Sequence, residues 1–142
     1  MLSKILKLLS ATIEIEVSPD RFVFTRDDLV KSLSTRVYLS NDSADHRILG
    51  VGDDFVATEP NMCIELFQEN QKEPIPNFVK SECLDAFFMH AFRLLTSRFA
   101  MIRPLVVFKN SRSLNALLCG YQDTILLTAA GNAGARECTF EN

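Results

Sequence analysis

The side chains able to do chemistry are few in this sequence, and their spacing suits little of it. Four cysteines, Cys63, Cys83, Cys119 and Cys138, stand 20, 36 and 19 residues apart. Zinc ligands and redox pairs sit much closer together, so these are expected as reduced core thiols. No cleaved leader is seen, and thiols in that state fit a cytoplasmic protein. His46 falls in a polar loop and His90 on an apolar helix beside Met89 and Phe92, where packing is the ordinary role. No G-x-S-x-G elbow occurs, and Gly50-Val51-Gly52 lacks the rest of a dinucleotide fingerprint. Asp27-Asp28 and Asp53-Asp54 are adjacent pairs whose carboxylates diverge on an extended chain, so both read as turns. A two-metal nuclease needs carboxylates from the first strand, the first long helix and the end of the fourth strand. Glu16 and Glu82 or Asp85 supply two, but the fourth strand ends Phe108-Lys109-Asn110, without an acid. No catalytic, cofactor or metal site is expected.

The elements that would position such groups are legible. Ile13, Ile15 and Val17 alternate with Glu14 and Glu16, the signature of a half-buried strand. Ser18-Pro19-Asp20 is turn chemistry, Phe22–Phe24 a second strand, and Ser34–Leu39 a third, giving an antiparallel meander. Ile48–Gly52 is a short strand or extended link, and 53–76, with three of the five prolines, reads as irregular with at most a short helix. Asn77 caps a long helix whose stripe is Val79, Cys83, Phe87, Ala91 and Leu94 or Leu95, ending near Phe99. Leu105–Phe108 is a continuous apolar run, a strand buried on both faces. Ser111 or Ser113 opens a second long helix that stops at Gly131, and Ala135–Phe140 forms a last strand. The order β-β-β-loop-α-β-α-β predicts a mixed five-stranded sheet with two long helices, its strand–helix–strand tail right-handed and parallel.

Composition bounds the rest. At 142 residues, 47% hydrophobic and 23% charged, the chain fits one soluble domain with a full core. A net charge of −3 argues against a nucleic-acid partner. That charge is unevenly placed. Residues 1–10, MLSKILKLLS, hold Lys4 and Lys7 and no acid, leaving −5 on 11–142 (13 Lys+Arg against 18 Asp+Glu). Leu2, Ile5, Leu6 and Leu9 fall on one helical stripe, so this segment suits a membrane surface, a partner or an apolar surface of its own domain. Leu2, Lys4, Ile5, Leu6, Lys7 and Leu9 are the candidate contact residues.

Several stretches resemble one family. Gly131-Asn-Ala-Gly-Ala-Arg-Glu137 is similar to the "GAGARE" segment of MreB, the rod-shape-determining bacterial actins. Ile102–Phe108 resembles the strand before that helix, and Asn77-Phe-Val with the Cys83–Leu95 helix its "ADFxxTExML" stretch. Leu49–Asp54 resembles "AVGxDA", and MLSKILKLLS the membrane-binding N-terminus of many members. The matches are collinear over nearly the whole chain.

The resemblance implies a ribonuclease-H-like, actin-like subdomain over 11–142, corresponding to the first subdomain alone. It also implies a degenerate nucleotide site. The family's "DLGTANT" turn aligns with Glu16–Phe22, where Ser18 replaces a glycine, Pro19 removes an N–H, and Asp20 repels a polyphosphate. Arg21 is the one cation there. Glu16 aligns with the metal-proximal aspartate, and Glu141 lies near the place of the catalytic glutamate. The expectation is therefore no ATPase and no cofactor, but a bacterial cytoskeletal or cell-shape scaffold, peripheral to the inner membrane through 1–10. With no helix following the last strand, one apolar sheet face is expected to be bare. The MLSKILKLLS segment, a second copy of the chain or a full-length bacterial actin homologue would cover it, and a homodimer or higher oligomer with the first segment sharing the task is expected. The alternative is an ATP-binding protein that completes its site by dimerisation.

Overall fold

Alternation in the first strand sets the architecture. In the computed structural model, which describes residues 12–40, 48–53, 61–67, 77–95, 103–118 and 120–141, β1 (Thr12–Val17) buries Ile13, Ile15 and Val17 completely. Its hairpin partner β2 (Arg21–Arg26) buries Phe22 and Phe24 on the same face, and β3 (Leu29–Ser34) follows antiparallel. On the other side of β1, β7 (Leu105–Lys109) and β8 (Glu137–Glu141) run parallel to it. The sheet order is β3-β2-β1-β7-β8, the expected mixed five-stranded sheet.

The third strand differs from expectation. The third strand of the large sheet is Leu29–Ser34, which was not expected; after a bend at Thr35, most of the expected Ser34–Leu39 strand is β4 (Arg36–Ser40), which belongs to a second, antiparallel sheet. There it is flanked by β5 (Ile48–Val51) and β6 (Asn61–Glu65), the latter inside the stretch expected to be irregular. Thr35 makes the break hold. Its N–H donates to Asp20 O at 3.1 Å, its hydroxyl to Pro19 O at 2.8 Å, and its carbonyl accepts from Leu66 N at 3.0 Å. Burial at every second residue (Leu33, Thr35, Val37, Leu39) continues through the bend, so the pattern does not mark where one sheet ends and the next begins.

Helix α1 (Asn77–Leu95) matches its expected start, and its expected end at Phe99 lies outside the described residues. Its buried side chains are Cys83, Leu84, Phe87, Phe88, Ala91, Phe92 and Leu95, a wider stripe than expected. They rest on the Ile13–Phe24 face, against β2 and β3. The second helix is broken: a 3₁₀ turn (Ser111–Leu114), a single turn α2 (Asn115–Leu118), then α3 (Gln122–Asn132). Gly120, at φ +87, stands at the break and can follow that path without a Cβ penalty. α3 packs on α1 and β8, so both helices cover one sheet face, as expected.

The other face is not the bare apolar surface the sequence suggested. It presents Thr12, Glu14, Glu16, Glu137, Thr139 and Glu141, all exposed. Leu105 and Val107 are only half-buried among them, so β7 is buried fully on one side alone. Nor are all the thiols in the core: Cys63 is exposed, Cys138 half-buried, and only Cys83 buried, where desolvation pushes its pKa to about 11. Cys119 and His46 lie outside the described residues.

Phe88 sits at the centre of the core, its ring within 6.2 Å of those of Phe22, Phe24, Phe87, Phe92 and Phe108. Phe88→Ala should cost about 3–5 kcal/mol in urea unfolding, whereas Leu127→Ala, at an exposed position, should cost under about 0.5.

Candidate functional site

Ligands of open α/β sheets sit beyond the carboxyl ends of the parallel strands. Here those ends are Val17 of β1, Lys109 of β7 and Glu141 of β8, with Glu16, Lys109 and Glu141 in one register row. Two loops border the edge: the Ser18–Asp20 turn and the Asn110–Ser113 connection.

Both loops are tied down by their own polar groups. Asn110 adopts the left-handed conformation (φ 63), which Asn tolerates better than most residues. It donates its N–H to Glu141 O at 3.2 Å and its Nδ2 to Val17 O at 3.3 Å. The Ser113 hydroxyl donates to the same Val17 carbonyl at 3.0 Å, and Ser111 Oγ to Asp123 Oδ1 at 2.8 Å. In the turn, Ser18 directs both its N–H and its hydroxyl to Arg21 O. Pro19 has no N–H to give, and Asp20 brings a carboxylate. A phosphate cradle needs inward-pointing donors. Ser18 has spent its donors on the protein.

Arg21, the one cation of the turn, is also occupied. Its guanidinium donates to Ser32 Oγ (2.8 Å), Ser34 Oγ (3.2 Å) and Asp53 Oδ2 (3.2 Å), and the Ser34 hydroxyl in turn donates to Asp53 Oδ1. The Ser34 hydrogen bond first, and the Arg21 charge after it, hold the Asp53 carboxyl below its ordinary range. Asp53 is the turn residue its sequence setting predicts, but its partnership with Arg21 and Ser34 leaves no local pattern of its own. The nearest signal is Gly52, at φ +65, where a Cβ would approach Leu33 Cδ2 to 2.9 Å. That close approach aims the next residue back at β2 and β3.

The other candidates are dispersed. Glu16 projects from the open face and Lys109 turns to Glu14 at 3.2 Å. Glu82 and Asp85 ride on α1, across the sheet from Glu16, and Asp85 accepts from Asn132 Nδ2 at 3.2 Å. A nuclease constellation is thus not assembled, and among the described residues no three His, Cys, Asp or Glu side chains converge as metal ligands. His90 is half-buried on α1. Leu2, Lys4, Ile5, Leu6, Lys7 and Leu9 lie outside the described residues. No described helix is long and apolar enough to cross a membrane.

Because the folded Asp53 pKa is lowered, its contribution to stability is present above the ordinary carboxylate value and is lost as pH falls through the folded one. Ser34→Ala should move the Asp53 carboxyl back up in an NMR titration. It should also cost about 0.5–1 kcal/mol at neutral pH, and less in acid, since the pair is half-exposed.

No sequence-family model and no curated protein matches the chain. Solved structures do. A non-polymerising mutant of MamK bound to AMPPNP superposes with a TM-score of 0.57 at 11% identity, covering 92% of this chain and 41% of that one. MreB 5 of Spiroplasma citri bound to AMPPNP gives a TM-score of 0.57 at 11% identity, covering 94% of this chain and 38% of that one. The chain therefore spans about two fifths of the length of either. With its five-stranded order, its parallel tail and its helices on one face, the chain has the fold of part of an MreB-like, actin-like protein.

Proposed function

We propose that the chain is a non-catalytic, actin-like interaction or scaffold module of a bacterial cytoskeletal or cell-shape system. It works in the cytoplasm at the inner face of the membrane. The observation that carries this reading is the β1–β2 turn. Where an actin-like protein approaches a phosphate with free backbone, Ser18 folds onto Arg21 O, Pro19 lacks a donor, and Arg21 is bound to Asp53. A nucleotide would have to break those bonds and face Asp20 as well. Titrating Mg-ATP by calorimetry should give no saturable heat, and micromolar binding would overturn the reading.

A second reading is favoured by one observation: the two neighbours named above are bound to AMPPNP. On that reading the chain binds ATP in a site completed by a second copy. The same titration separates the two, run at concentrations where the chain is oligomeric.

Self-association is part of the first reading, although the polar open face does not supply the bare apolar surface expected to drive it. Its support is now the edge strand β3, which pairs on one side only among the described residues and whose first residues Leu29 and Val30 are 41% and 58% exposed. Light scattering should return more than one chain mass at high concentration; a strict monomer would end that part of the proposal. Attachment through residues 1–10 predicts that Ile5→Asp with Leu6→Asp abolishes flotation with anionic vesicles. Capture of a full-length bacterial actin homologue by the chain in a binary assay would identify the partner.

A further inference from the structure

The open face of the five-stranded sheet and the first ten residues of the chain have complementary chemistry. Across that face the register sets three rows: Thr12, Leu105 and Glu137; Glu14, Val107 and Thr139; Glu16, Lys109 and Glu141. Leu105 and Val107 form a short apolar strip down β7, with exposed carboxylates on both sides from β1 and β8. Lys109 is the single cation of these rows, and its amine is on Glu14 at 3.2 Å. Arg21, farther along the same face, is bound to Asp53. The rows thus carry four acids against one base.

Residues 1–10 carry the opposite pattern: Lys4 and Lys7, no acid, and an apolar stripe of Leu2, Ile5, Leu6 and Leu9. They enter the sheet through Ala11 alone, at the start of its central strand. Ten helical residues span about 15 Å. Five residues of β7 span about 16 Å, and β1 lies about 10 Å from β8. The segment matches the length of β7, whose open-face residues are Leu105, Val107 and Lys109, and the tether holds the two at an effective concentration of about millimolar.

We propose that this face is the seat of residues 1–10, with the leucine stripe on Leu105 and Val107 and the two lysines against the flanking carboxylates. Resting on the membrane reading above, it follows that an anionic lipid surface competes with the sheet for the same stripe. The sheet face then acts as an internal stand-in for the membrane, and attachment requires release.

Zero-length carbodiimide crosslinking of the full chain, mapped by mass spectrometry on mixed ¹⁵N-labelled and unlabelled protein, tests the seat. Lys4 or Lys7 should join Glu14, Glu16, Glu137 or Glu141 within one chain, and the yield should fall about fivefold or more in 0.5 M salt. The Lys109–Glu14 link serves as internal control. If that link forms while the Lys4 and Lys7 links are absent, or occur only between chains, the seat is overturned. Competition is read by flotation with phosphatidylglycerol vesicles at limiting lipid. Glu16→Gln, Glu137→Gln and Glu141→Gln together should raise the bound fraction about two- to threefold. The same changes should add nothing when combined with Ile5→Asp and Leu6→Asp. No increase, or an equal increase in both backgrounds, overturns the competition. If the Ile5→Asp and Leu6→Asp chain floats as well as the parent, the membrane reading fails, while the crosslinks still decide the seat.

Discussion

The contact of α1 with the sheet through Phe88 is the constraint on which the rest depends. Its ring reaches Phe22 and Phe24 on one side of β1 and Phe108 on the other. A single side chain therefore bears on the antiparallel hairpin and on the parallel strand added next to it. Edge-on geometries dominate, with interplanar angles of 65–88° for all five neighbours. That arrangement sets the positive rim of one ring on the negative face of the next. Phe108 extends the series by stacking on Phe140 of β8 at 5.2 Å. Strand order and helix placement are thus consequences of one aromatic seam.

A core that faces only one way leaves the sheet with two different surfaces. The helix side is closed by phenylalanine and leucine. The open side keeps the alternate residues of the same strands, which are threonine and glutamate on β1 and β8. At the carboxyl edge the polar groups are turned inward on the protein: Val17 O accepts from two side chains, and the carbonyls of Pro19, Asp20 and Arg21 are all engaged. These bonds make the carboxyl edge a structural joint between the two loops and the sheet.

Much of this was legible in the sequence. The alternation in Thr12–Val17 gave β1, and the stripe from Cys83 to Leu95 gave α1. The parallel tail followed from the order of the elements. What escaped has physical causes. The bend at Thr35 interrupts no hydrophobic pattern, because the chain continues extended into another sheet. The break at Gly120 lies inside an apolar run whose period is still helical on either side. The run Leu105–Phe108 reads as doubly buried because valine and leucine are alike to a hydropathy count, whichever neighbours they meet. Arg21 and Asp53 are 32 residues apart, so their pairing exists only once β5 is placed. The departures of the turn from a phosphate-binding pattern were visible; the bonds that occupy its donors were not.

Thr35 has a consequence of a mechanical kind. One residue carries the chain from the large sheet to the small one, and it is bonded to both: to Pro19 and Asp20 at the β1–β2 turn, and to Leu66 beyond β6. A hinge between two sheets would need slack at the crossing, and here the crossing is cross-braced. A displacement of the small sheet at the crossing would strain the bonds from Thr35 to the turn at the carboxyl edge. Through Thr35 the small sheet is tied directly to the carboxyl-edge turn of the large one.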